Sequence, residues 1–114
     1  MLIERKEILN EDGSLGYIEA VFESDNILKT TYFPKAGRLY IAFNRGGTYS
    51  YENISPEMYE QFEKAESQGK FFYQNIRNKP EILYRKEFTL YPTEVRELKE
   101  IVKNNKESIE DNDE

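Results

Sequence analysis

The chain contains no cysteine and no histidine. Without thiols there is no disulfide framework, and without thiolates or imidazoles the usual zinc sites cannot be assembled. Ser-His-Asp and Cys-His nucleophilic centres are excluded as well. Only carboxylate, lysine or tyrosine chemistry is left, and no set of such residues stands out. Long apolar runs are also missing. None approaches the roughly 20 residues of a membrane span, and Glu4-Arg5-Lys6-Glu7 sits where a signal peptide needs its apolar core. These features predict a cytoplasmic protein with no membrane association, no cofactor, no metal site and no catalytic residues.

Hydrophobic residues make up 38% of the 114 positions, yet aromatics reach 14% through nine Tyr and seven Phe. A few large rings must therefore supply much of the burial, and tyrosine suits half-wet positions because its hydroxyl wants a partner. The length suits one domain with a modest core. Net charge is −6 but unevenly placed. Residues 104–114 hold one base, Lys106, against five acids. Between Gln68 and Lys86 the sign reverses, with Lys70, Arg77, Lys79, Arg85 and Lys86 against Glu81 alone. A globally acidic chain has little non-specific affinity for nucleic acid, but a local basic strip can hold one anionic ligand.

The pattern predicts an α+β fold: an antiparallel sheet of about six short strands, one packed helix and a C-terminal helix. Ile3–Leu9 and Leu15–Phe22 flank Asn10-Glu11-Asp12-Gly13-Ser14 and read as an N-terminal hairpin. Ile27–Phe33, Arg38–Asn44 and Thr48–Glu52 make a three-stranded meander, with Leu39, Ile41 and Phe43 on one face. Ser55-Pro56-Glu57 starts a helix by capping, proline placement and dipole complementarity. Tyr59, Phe62 and Ala65 mark its buried stripe, and Gly69 is the expected stop. Glu81–Leu90 reads as a further strand and Pro92–Lys103 as the second helix, with Val95, Leu98 and Ile101 or Val102 on one side. A single domain thus covers residues 1–103, and residues 104–114 are expected to be a disordered acidic tail.

Two groups of residues invite a binding reading. Tyr49 and Tyr51, two apart on a strand, share one sheet face. They either stack on a base or pack under the helix as core rings. Gly69-Lys70-Phe71-Phe72 with Arg77 either forms an anion pocket or leaves its cations solvated while Phe72 and Ile76 plug the sheet. Arg45-Gly46-Gly47 is a hairpin turn, because a phosphate-cradling loop needs a Gly-Lys-Ser/Thr ending and a following helix. Glu57, Glu60, Glu63 and Glu66 read as a solvated helix side.

The ordered set Ser24, Ile27, Tyr32, Leu39, Ile41, Phe43, Gly47, Tyr49, Tyr51, Ile54, Tyr59, Ala65, Ser67, Gly69, Lys70, Phe72, Ile76 and Arg77 resembles the KTSC domain. That short module has a central Tyr-x-Tyr motif and occurs at the C-terminus of some lysyl-tRNA synthetases and as stand-alone proteins of bacteria and their viruses. The resemblance covers residues 24–77, leaving the hairpin of residues 1–23 and the strand and helix of residues 81–103 as additions. It suggests an RNA-binding role. The expectation is a non-enzymatic module that binds RNA or a small nucleotide through Tyr49, Tyr51, Lys70, Phe71 and Arg77. The alternative is a small acidic, phage-type inhibitor that binds a host protein through its acidic helix side and tail.

Overall fold

Strand β1 (Leu2–Leu9) turns at Asp12-Gly13 into β2 (Leu15–Phe22), and β3 (Ile27–Phe33), β4 (Arg38–Phe43) and β5 (Gly47–Tyr51) come after it. Two helices are next, α1 (Pro56–Lys64) and α2 (Gln68–Phe72), with a π-helical segment Tyr73–Arg77 directly after α2. β6 (Tyr84–Thr89) and α3 (Pro92–Asp111) complete the chain. This computed structural model describes residues 1–111, with side chains for residues 1–105. The six strands form one sheet in sequence order, every neighbouring pair antiparallel. The expected α+β arrangement is therefore the observed one.

The meander has two exposed edges, and both are blunted. β1 is interrupted by register shifts and carries Glu4, Arg5, Lys6 and Glu7, while β6 shifts register opposite Thr48/Tyr49 and carries Arg85, Lys86 and Glu87. Bulges and charge of this kind discourage pairing with another chain.

One face of the sheet packs against α1, α2 and the π-helical segment. Ile18, Ala20 and Phe22 of β2, Ile27 and Tyr32 of β3, Leu39 and Ile41 of β4, and Tyr51 of β5 meet Tyr59, Phe62, Phe72 and Ile76. Rings dominate the contacts, as the composition requires. Tyr32 stacks on Tyr59 with centroids 4.4 Å apart, Phe22 meets Phe62 edge-on at 5.3 Å, and Phe72 sits edge-on to both Phe43 (5.5 Å) and Tyr51 (5.3 Å). Buried hydroxyls find partners: Tyr32 donates to the Ile54 carbonyl at 2.7 Å, and Tyr59 and Thr30 share a hydrogen bond at 3.2 Å.

The helices depart from expectation at Gly69. Helix α1 begins as expected, with the Ser55 hydroxyl accepting from Met58 N–H, but it stops at Lys64 rather than at Gly69. Gln68 explains the early stop. Its buried side-chain amide donates to the Ala65 carbonyl at 2.9 Å and also reaches those of Phe62, which accepts the Ala65 N–H as well, and Glu63, so it covers the carbonyl end of α1. Ser67 then caps α2 by accepting from Lys70 N–H. Gly69 lies inside α2 and not at a helix end, with the tip of the exposed Asn26 side chain 2.8 Å from where a Cβ would stand.

The opposite face is partly covered by α3, which packs across β2 and β3. Val21 of β2 and Leu28 of β3 are buried outside the main core cluster. On this face an apolar groove of about 230 Å³ stays open between Phe33, Tyr40, Ala42, Thr48 and Phe88. Helix α3 does not end at Lys103 as expected. It continues to Asp111, through eight residues of the expected tail, because residues 104–111 contain neither proline nor glycine to stop it. Residues 112–114 of that tail lie outside the described residues. No helix among the described residues is long and apolar enough to cross a membrane.

The core sets two expectations for stability. Phe62, fully buried among Phe22, Tyr59 and Phe71, should cost about 3–5 kcal/mol on replacement by alanine. Phe43→Ala, at the half-buried end of its face, should cost less. Urea unfolding of both variants checks the order, and a Phe62→Ala loss below about 1 kcal/mol would place that ring outside the core. The second expectation concerns pH. Burial pushes the hydroxyls of Tyr51 and Tyr59 well above the ordinary tyrosine value near 10. Below that value both are neutral in folded and unfolded chains, and their contribution is fully present. Above it the unfolded chain ionises while the folded one does not, so stability should fall as pH rises past about 10. Urea midpoints between neutral and alkaline pH measure this, and Tyr59→Phe should flatten the dependence.

Candidate binding site

Local structure fastens the end of the helical region to the far end of β5. Asn53 takes a positive φ of 64°, a conformation asparagine tolerates, and its side-chain amide donates to the Glu81 carbonyl at 2.9 Å. Glu52 N–H donates to the Leu83 carbonyl at 2.9 Å. These bonds lead the chain into β6 so that Tyr84 pairs with Tyr51 and Lys86 with Tyr49.

The result is a cluster of tyrosines around one cation. The Arg77 guanidinium carbon lies 5.0 Å from the centroid of the Tyr84 ring, and Tyr84 stacks on Tyr51 at 6.1 Å. The buried Tyr51 hydroxyl feels Arg77, Tyr49, Tyr84 and Tyr73 together. Burial raises its pKa most, the Arg77 charge opposes that, and the neighbouring tyrosines add to it. Around this cluster the surface is wet and apolar at once: Tyr73 is 57% exposed, Leu83 66% and Tyr84 53%. Arg77, Asn78, Lys79, Ile82, Leu83 and Tyr84 border an open hollow of about 480 Å³. Arg77 makes no ion pair with a carboxylate among the described residues.

The structure distributes the five expected site residues unequally. Arg77 stands at the centre of the cluster. Tyr51 is buried and Tyr49 half-buried, both on the helix-covered face, with Tyr49 edge-on to Phe43 at 6.0 Å. Phe71 is half-buried against Phe62 at 6.0 Å, so its ring belongs to the core. Lys70 is exposed and about two helical turns before Arg77. The residues that sequence reasoning missed are Tyr73, Leu83 and Tyr84. Strand alternation alone accounts for Tyr84 in the sequence, and its position inside the basic segment 68–86 is the available signal.

The geometry has the chemical parts of a small binding surface: a guanidinium plane, flanking rings and a hollow with further amines nearby. The sequence matches the KTSC domain over residues 23–79, which takes in β3, β4, β5, both short helices and Arg77. A crystal structure of a KTSC domain protein from Yersinia pestis superposes with a TM-score of 0.57 at 33% sequence identity, covering 61% of this chain and 96% of that one. A search of curated proteins returns no significant match. With half of its length on the family pattern and its fold shared with that crystal structure, the chain belongs to the KTSC domain family.

Proposed function

We propose that this KTSC protein is a non-enzymatic binding module for a phosphate-bearing ligand, RNA or a small nucleotide, held at Arg77 and Tyr84. The observation that carries the reading is the exposed guanidinium resting over an exposed ring with no acidic partner among the described residues. Contact with the Tyr84 ring restrains the guanidinium, so that its N–H groups can take a phosphate while the exposed rings beside it take a base. Exposed Tyr73 and Leu83 extend the apolar floor, and the exposed cations Lys70, Lys79 and Lys86 add positive field. Tyr49 and Tyr51 support this surface from below, with Tyr51 setting the height of Tyr84.

Titration of short single-stranded RNA and mononucleotides tests it. Arg77→Ala should weaken binding roughly ten- to a hundredfold, the value of a charged hydrogen bond of about 1.5–3 kcal/mol. Arg77→Lys should also weaken it, since an ammonium cannot present the planar fork. Tyr84→Ala should do the same by releasing the guanidinium. Affinity should fall with salt at a shallow slope, reflecting about one or two neutralised phosphates. No binding by the parent protein, or variants that bind equally well, would defeat the reading and favour a protein partner on the surface around Tyr73 and Leu83.

A further inference from the structure

The six arginines divide into two groups. Arg5 pairs with Glu7 and Glu63, Arg38 with Glu52, and Arg85 with Glu87. The other three, Arg45, Arg77 and Arg96, make no ion pair with a carboxylate among the described residues. Arg77 lies beside the start of β6, and Arg45 and Arg96 lie at its far end. There Arg45, Arg96 and Lys99 line one open cleft of about 530 Å³ with Asn44 and Thr89, and no acidic side chain contributes to its wall.

This cleft is built, not accidental. Gly46 has a φ of 96°, and a Cβ there would meet the Leu90 carbonyl at 3.1 Å and Val95 Cγ2 at 3.2 Å. Leu90 N–H donates to the Gly46 carbonyl at 2.9 Å. The β4–β5 turn is thereby clamped to the β6–α3 junction, which sets Arg45 beside α3. The Glu94 carboxylate, the acid nearest the helix start, is engaged by Tyr91 N–H at 3.1 Å. Arg96 and Lys99, three apart, share one side of the helix.

We propose that this cleft is a second phosphate-binding subsite, which holds the backbone of a single-stranded RNA whose first contact is at Arg77 and Tyr84. The inference rests on the function proposed above and specifies its ligand as an oligonucleotide. From Tyr84 to Thr89 an extended strand spans about 17 Å, too far for one nucleotide to touch both ends. Exposed Lys86 lies between them. The second subsite depends on α3, which lies beyond the residues matched to the KTSC domain, so it is a property of this chain's addition.

The test titrates the full chain with a single-stranded RNA dinucleotide and with an oligomer of about eight nucleotides, within the usual site sizes. The oligomer should bind the parent at least about tenfold tighter. Arg96→Ala combined with Lys99→Ala should remove most of that gain and lower the salt slope by roughly 1–2. It should leave dinucleotide binding and the melting temperature unchanged. Oligomer affinity indifferent to the double variant, with dinucleotide binding still lost in Arg77→Ala, would overturn the second subsite alone. Oligomer binding that needs Arg96 and Lys99 but ignores Arg77→Ala would overturn the shared track and the reading beneath it. An oligoglutamate peptide that displaces the RNA at equal concentration would overturn the nucleic-acid assignment, because the cleft would then be reading charge alone.

Discussion

The packing of Phe72 between Phe43 and Tyr51 holds together the two halves of this molecule. A chain with so few aliphatic residues relies on rings to cover its sheet, and Phe72 is the ring that α2 delivers to the β4–β5 side. Its position fixes the course of the next five residues. The π-helical segment starts from it, Ile76 drops into the core one turn later, and Arg77 emerges at the surface. Tyr51, held from behind by Phe72, also stacks with Tyr84. The surface cluster is thus the outer end of a continuous line of rings that begins inside the core.

Much of this was legible in the sequence, for identifiable reasons. Strand alternation, the Asp12-Gly13 turn and Ser55-Pro56 are local signals, and each acts where it stands. The sheet order could be anticipated because every connection between its first five strands is short. The behaviour of Gln68 and Gly69 could not be read. A buried glutamine that caps the preceding helix and a glycine inside a helix beside Asn26 depend on how the chain packs around them, not on their own neighbours in sequence. The same holds for the site. Arg77 could be suspected from charge, but Tyr84 joins it only through β5–β6 pairing and the Asn53 clamp. Phe71 misled because it and Phe72 are adjacent on a helix, and both have inward-facing neighbours: one meets Phe62, the other Tyr51.

The additions around the family core complete it in a physical sense. The matched segment alone would present β3 and β5 as open edges. The N-terminal hairpin covers the first and β6 the second, and in both cases the new edge is bulged and charged. Helix α3 then returns across the sheet's second face to β2 and β3, so that the C-terminal addition reaches the N-terminal one. Met1 closes the opposite corner: its ammonium donates to the Glu23 carbonyl and to Gln68 Oε1, both at 2.6 Å. The amide that ends α1 is the same one that anchors the start of β1.

The strict sequence order of the sheet carries a consequence for how quickly the chain finds this shape. Strands β2 to β5 each pair with the strand just before, across a short turn, so little loop entropy is lost at each closure. Only the β5–β6 pairing must wait for an intervening helical segment, and α3 must cross to strands laid down much earlier. Assembly by successive hairpins, with the two later elements docking last, spares this sheet the distant strand pairings that make β-sandwiches and barrels slow to fold. Speed of folding is here a property of connectivity rather than of secondary-structure type.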